Sequence, residues 1–286
     1  MLAVSIDGVL VPAEEASISV FDRGLLYGDG CFEVLRTWEG IAVDLAAHLD
    51  RLYATAKFLQ LQMLERSVVE EAVYKTIAAA KLQLPVIEPE TIPDHRVRIL
   101  ATRGPGGLAQ PFADLGRGRT IVIVEPLPPP PAELSLAIVD WPIVRGGHKT
   151  LAYLDPLIAR ELARAASADE AVRLDPKGNV VEGATCNVFV VERSGAKTTV
   201  ATPRLDEGAL PGIVRARVLW LCKQEGLVAV ERVISVRDLR SADEVFVTSS
   251  LRGVVPVTRI DGASRSSGPI TTTLWRAYQR AMRPAP

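Results

Sequence analysis

Glu125-Pro126-Leu127-Pro128-Pro129-Pro130-Pro131-Ala132 decides how this chain is organised. Consecutive prolines fix φ and remove the amide donors that a helix or a central strand needs, so the stretch is extended and semi-rigid. At 286 residues the chain is longer than most single domains. The proline stretch therefore predicts a small N-terminal domain over 1–125, a linker over 126–132 and a larger C-terminal domain over 133–286. Upstream, hydrophobic patterning predicts strands at Ala3 to Ile6, Cys31 to Thr37, Val97 to Arg103 and Thr120 to Glu125, with an amphipathic helix from about Leu45 to Leu61 and a glycine-rich turn at Gly24 to Gly30. Downstream, strands are predicted at Leu134 to Val139, Glu170 to Leu174, Asn187 to Glu192 and Glu244 to Thr248, with helices at Asp155 to Ala166, Gly212 to Gln224 and beyond Gly268-Pro269. The pattern is that of an α+β protein without internal repeats.

Composition excludes several classes of partner. Hydrophobic residues make up 48% and charged residues 23%, with a formal net charge of -1. Nucleic acid and anionic membranes require a concentrated basic surface, so neither is expected, and a small-molecule ligand fits better. Cys31, Cys186 and Cys222 are widely spaced and form no metal-ligand pattern. They read as buried thiols of a reducing compartment, with the cytoplasm as the expected location and no metal. The amino terminus lacks a signal-peptide pattern, and no apolar run reaches membrane-spanning length.

The chain has seven lysines against twenty-six arginines, and one of the seven is Lys149 in Val144-Arg145-Gly146-Gly147-His148-Lys149-Thr150-Leu151. Where arginine supplies almost all positive charge, a lysine between a strand and a helix suggests an amine that must lose its proton, as in Schiff-base chemistry; the alternative is an ordinary loop lysine. Glu182 precedes an apolar strand that begins at Asn187, and reads either as a carboxylate held at the strand edge or as an exposed turn residue. Leu210-Pro211-Gly212-Ile213-Val214 starts a helix whose free N–H groups at Ile213 and Val214 suit an anion. Arg51 on the first helix offers a forked cation, and Ser250 a hydroxyl at a strand end. Taken singly, each has a structural explanation. Together they meet the needs of pyridoxal 5'-phosphate: a lysine for its aldehyde, an acid for its ring nitrogen and an anion cup for its phosphate.

Asp22-Arg23-Gly24, Tyr27-Gly28-Asp29-Gly30-Cys31-Phe32-Glu33 with Arg36, and His48-Leu49-Asp50-Arg51-Leu52 resemble the opening of the fold-type IV, or class IV, pyridoxal-phosphate aminotransferases. Lys149 with Tyr153-Leu154, Glu182-Gly183 through Asn187-Val188-Phe189, Thr202-Pro203 through Gly212-Ile213, and Ala242-Asp243-Glu244-Val245-Phe246 through Ile260-Asp261-Gly262 continue the likeness in order along nearly the whole chain. The resemblance implies a small α/β N-terminal domain and a larger pseudo-barrel C-terminal domain, working as a homodimer. It also implies that Lys149 is the Schiff-base lysine, that Glu182 partners the ring nitrogen, that Arg51, Ile213, Val214 and Ser250 bind the phosphate, and that Tyr153 approaches the phenolic oxygen.

The same family contains 4-amino-4-deoxychorismate lyase, which releases pyruvate and 4-aminobenzoate. Phe32-Glu33 resembles the transaminase pattern, whereas Val97-Arg98 through Gly104-Pro105-Gly106-Gly107 resembles the lyase strand and loop. The tyrosine-any-arginine strand of the branched-chain branch has no counterpart near Arg98 to Leu100, and Leu108 and Gln110 stand where the D-amino-acid branch carries arginine and histidine. Phe32, Arg36, Arg98 and Leu108 are the candidate substrate-binding residues; for the two arginines, structural ion pairing is the alternative. The expectation is an aminotransferase acting on a branched-chain or small amino acid, L or D, and a 2-keto acid. The lyase and an inactive family member serving as a binding module are the alternatives.

Overall fold

The computed structural model describes residues 2–82, 94–141, 143, 146–195 and 197–282. Val144 and Arg145, which open the lysine motif, lie outside the described residues. The chain forms two compact units: Met1–Pro129 with Lys149–Tyr153, and Pro130–His148 with Leu154–Pro286.

The first unit contains β1 (Ala3–Ile6), β2 (Val9–Val11), α1 (Arg23–Tyr27), β3 (Gly30–Trp38), β4 (Ile41–Ala42), α2 (Leu45–Phe58), α3 (Arg66–Leu82), β5 (His95–Thr102) and β6 (Thr120–Pro126). Its strands make one antiparallel sheet in the order β2-β1-β6-β5-β3-β4. Alternation sorts the side chains. Cys31, Leu35, Val97, Ile99, Val122 and Val124 are buried with Leu45, Leu49 and Leu52 of α2 and Val69, Val73 and Ile77 of α3. On the other face, Phe32 stands opposite Leu100, Val34 opposite Arg98 and Arg36 opposite Arg96. The short strands β2 and β4 and two helices, α1 and α3, go beyond the sequence expectation. The glycine-rich turn contains the short helix α1, which Asp22 caps by accepting the Gly24 N–H at 2.7 Å. The helix α3 was not expected, because its buried face includes Ala72, Thr76 and Ala80, which carry a weak periodic signal.

The second unit contains β7 (Leu134–Ile138), α4 (Leu154–Ala165), β8 (Glu170–Leu174), β9 (Asn179–Gly183), β10 (Asn187–Ser194), β11 (Lys197–Thr202), α5 (Ile213–Gln224), β12 (Val228–Glu231), β13 (Ile234–Ser235), α6 (Val236–Ser241), β14 (Glu244–Ser249), β15 (Gly253–Ile260), β16 (Ala263–Ser264) and α7 (Pro269–Met282). The sheet runs β12-β11-β10-β14-β15-β7-β8-β9-β13, with β16 pairing β15. Its two end strands, β12 and β13, are joined by only Arg232 and Val233, so the sheet must curl until its edges approach. That closure is the pseudo-barrel. Leu136, Val172, Val188, Val190, Val247 and Val257 belong to one core cluster, whereas α5 and α7 cover the opposite side through Val218, Leu274 and Tyr278 against Phe189 and Phe246. The two phenylalanine rings stack with centroids 4.8 Å apart.

Candidate active site

In the first unit, the chain segment carrying Lys149 is attached to the beginning of β3. Phe32 donates its N–H to the Lys149 carbonyl at 3.0 Å, Leu151 donates to Gly30 at 2.9 Å, and Thr150 bridges Cys31. Gly30 has to be glycine: a Cβ there would lie 2.2 Å from the Ala101 carbonyl oxygen and 2.6 Å from the Leu151 side chain. The side chain of Lys149 is thereby placed with its Nζ 4.3 Å from the Phe32 ring centroid and 5.6 Å from that of Tyr153. Those two rings meet edge to face at 5.1 Å, so the amine is bordered by aromatic surface.

Glu33 follows Phe32 and therefore faces the other side of β3, where it is fully buried. Arg51 of α2 donates to both of its oxygens, Nε at 2.7 Å and Nη2 at 2.8 Å, and His48 Nδ1 lies 2.7 Å from Oε2. Burial raises the Glu33 carboxyl, but the hydrogen bonds from Arg51 and His48 outweigh it and hold the group down at about 2. Burial pushes His48 below its ordinary range, so the neutral ring donates from Nδ1 to the carboxylate. Glu33 thus fixes the guanidinium of Arg51 and turns away from the Phe32 face, a role that alternation indicates only in part.

The remaining first-unit candidates are distributed as follows. Arg36 is buried, pairs with Asp94 and lies 5.4 Å from the Trp38 ring, which is the structural pairing that the sequence left open. Arg98 is more accessible, with its side chain 43% exposed, and shares Glu125 with Arg96 at 3.1 and 2.7 Å. Leu108 is 74% exposed, on the loop between β5 and β6. Arg23 and Arg103 both donate to Asp29 at 2.8 Å, and Arg23 Nη1 reaches the Gly107 carbonyl, which ties that loop to α1.

In the second unit, the glutamate motif and the helix start come together through one peptide. The Leu210 N–H donates to Glu182 Oε2 at 2.9 Å, and the Leu210 carbonyl accepts from Asn187 Nδ2 at 3.0 Å. Gly212 then caps α5 without any side-chain cap bond, which leaves the first-turn N–H groups to an external acceptor. A Cβ at Gly212 would fall 1.9 Å from Asn187 Oδ1. Thr248 stands directly opposite Asn187 on β14, and its buried hydroxyl has no hydrogen-bond partner among the described residues. Ser249 and Ser250 follow it into the turn. Free helix N–H groups, a buried hydroxyl and nearby serines are a donor set suited to a phosphate, so the residues present fit pyridoxal 5'-phosphate. Asn187 and Thr248 were missed in the sequence because each reads as a polar residue at a strand end.

The three thiols are free and buried, and burial pushes Cys31 and Cys222 up to about 12. No group of metal-ligating side chains occurs among the described residues. No helix among them is long and apolar enough to cross a membrane.

A two-unit α+β fold with a curled C-terminal sheet, a lysine against aromatic rings and a glutamate tied to an uncapped helix start define an enzyme of the amino-group-transfer type. The chain belongs to the class IV aminotransferase family, whose model matches residues 30–260. A putative branched-chain-amino-acid aminotransferase of Methanocaldococcus jannaschii is 34% identical over 97% of this chain and 96% of its own length. The D-alanine aminotransferase of Bacillus licheniformis is 30% identical over 98% and 97%. The crystal structure of a branched-chain aminotransferase from the archaeon Thermoproteus uzoniensis with norvaline matches with a TM-score of 0.87 at 29% identity, covering 98% of this chain and 94% of that one. Transamination dependent on pyridoxal phosphate is the chemistry of this family.

Proposed function

We propose that this protein transfers amino groups between a small or branched-chain amino acid and a 2-keto acid, with pyridoxal 5'-phosphate held through Lys149, as a cytoplasmic homodimer. The observation that carries this reading is the position of the Lys149 amine against Phe32 and Tyr153. Phe32, Val34, Leu100, Ile121 and Ile123 share the sheet face that begins there, and Arg98 lies on the same face. Strand geometry puts Arg98 one side-chain step, about 7 Å, beyond the Phe32–Leu100 pair. An amino acid whose nitrogen is near Lys149 meets apolar side chains first and a guanidinium next. Arg96 and Arg98 face the single carboxylate of Glu125, so positive charge remains for a substrate carboxylate.

Bound pyridoxal phosphate supplies an electrophilic carbonyl and a ring that accepts carbanion charge. Lys149 Nζ acts as nucleophile and proton carrier. Glu182, oriented by the Leu210 N–H, would present a carboxylate to the ring nitrogen. Ile213 and Val214 N–H groups and Ser250, and by the family resemblance Arg51, would hold the phosphate, with Arg51 kept in its orientation by Glu33. Tyr153 would approach the phenolic oxygen. The homodimer reading is supported by Val20, Phe21, Leu25, Leu26 and Tyr27, exposed apolar residues on and just before α1.

The test is a panel of L- and D-amino acids with 2-oxoglutarate or pyruvate, and aminodeoxychorismate in a separate assay. Keto acids formed from branched-chain or small amino acids are expected. Release of pyruvate and 4-aminobenzoate without a keto-acid acceptor would establish the lyase instead, and a colourless protein that takes up no cofactor would reject both. Lys149→Ala should eliminate turnover, and turnover in that variant refutes its assigned role.

A further inference from the structure

The second unit contains an ion pair on a buried carboxylate that joins two of these segments without itself being among the assigned ligands. Glu170, the first residue of β8, is fully buried. Its Oε2 accepts from Arg252 Nη2 at 2.9 Å and from the Thr185 hydroxyl. The same Arg252 Nη2 donates to Thr185 Oγ1 at 2.7 Å, and Arg252 Nε donates to Ser249 Oγ at 3.2 Å. One guanidinium therefore touches the start of β8, the turn that follows Glu182-Gly183, and the end of β14 immediately before Ser250.

Both turns leave little room for adjustment. The Gly183 N–H donates to the Cys186 carbonyl at 2.7 Å, and a Cβ on Gly183 would lie 2.4 Å from Cys186 Sγ. Ser249 pairs with Gly253, whose φ of +70° is a left-handed conformation that favours glycine. A buried carboxylate is costly to desolvate, and a similar volume of apolar side chain serves packing alone at least as well. What the ion pair adds is direction: Thr185 donates to Glu170 while accepting from Arg252, so a shift in either turn breaks a bond in the other.

We propose that Arg252, anchored by Glu170, is a positioning residue that keeps Ser250 and Glu182 in fixed register, so that the phosphate and ring-nitrogen ligands of the cofactor act as one unit. The proposal rests on the reading of Ser250 and Glu182 given above. It is tested on the full chain by measuring dissociation constants for pyridoxal 5'-phosphate and for pyridoxal, which lacks the phosphate. The proteins are Ser250→Ala, the pair Glu170→Gln with Arg252→Met, and all three changes together; changing the pair removes both charges, so no carboxylate is left buried alone. Ser250→Ala and the pair are each expected to weaken pyridoxal phosphate about tenfold, and the triple variant by little more, because contacts in one network are not additive. Losses that multiply to about a hundredfold overturn the proposal. Equal affinity of Ser250→Ala and the parent protein for pyridoxal phosphate removes the phosphate role of Ser250, and the proposal with it, as a separate result. Thr185→Val leaves the ion pair and the side-chain volume in place and serves if the pair variant does not fold. It should move the visible absorption maximum of the bound cofactor while leaving the preference for pyridoxal phosphate over pyridoxal unchanged. An unmoved maximum overturns the proposal.

Discussion

Each unit of this protein contains a fully buried glutamate with an arginine set against it, Glu33 with Arg51 and Glu170 with Arg252, but the two pairs are wired differently. In the first unit both oxygens of Glu33 are held by Arg51, and His48 adds a third bond. In the second unit Glu170 presents one oxygen to Arg252 and Thr185 together, while the other accepts the Ala171 N–H at 3.2 Å. Arg51 belongs to the proposed phosphate set, so Glu33 acts on a ligand directly through its charge. Arg252 reaches its neighbours through hydroxyl groups, so Glu170 acts through direction. The comparison separates a charge lock from a hydrogen-bond relay, and each can be broken independently.

The largest effect belongs to the charge lock. Glu33→Ala leaves a largely buried guanidinium and a buried imidazole without their common acceptor, and should cost about 3–5 kcal/mol. Urea unfolding monitored by circular dichroism measures it; a loss below about 1 kcal/mol would show that the surroundings relax around Arg51. The pH dependence follows next. Glu33 is held at about 2, below its ordinary value of 4.5, so the unfolded chain binds its proton first as the solution is acidified. Its contribution is complete above 4.5 and disappears as pH falls from 4.5 through 2, about 3 kcal/mol in all. His48, lowered by burial, acts in the same direction, beginning as pH falls through its ordinary 6.5. Unfolding midpoints at neutral pH, 4.5 and 3 should decline in the parent protein and flatten in Glu33→Ala. Parallel curves would place the acid sensitivity elsewhere.

The same contrast shows what could be seen in the sequence. Lys149 stands out because lysine is rare here, and the α5 start stands out because Pro211-Gly212 is a physical stop and start signal. Both are local signals. The pairing of Lys149 and Leu151 with the beginning of β3 is not local, and no periodicity announces it. Glu33 illustrates the limit well: alternation predicts that it faces away from Phe32, but not that Arg51 and His48 stand on that side. β15 was hidden for a different reason. Pro256 argues against a central strand, yet it is accommodated because pairing with β7 begins only at Val257, beyond the missing N–H. Arg252 reads as a turn residue until the fold brings Glu170 and Thr185 to it.

The relay predicts the smaller effect. Glu170→Gln keeps a carbonyl oxygen for Arg252 and Thr185 but loses the charge and, with an NH2 in place of Oε1, the acceptor of the Ala171 N–H, while Arg252, with its side chain 20% exposed, is left close enough to water to be partly hydrated. The cost should be about 1–2 kcal/mol, the range of a charged hydrogen bond exchanged for a neutral one. Because an amide does not titrate in this range, the acid profile of this variant should retain the decline assigned to Glu33. If Glu170→Gln instead costs as much as Glu33→Ala, Arg252 depends on charge neutralisation just as Arg51 does, and the distinction between lock and relay fails. If it costs less than Glu33→Ala but alters the spectrum of the bound cofactor, directional bonding is what the second unit needs from Glu170, since stability and geometry will then have responded to different features of the same carboxylate.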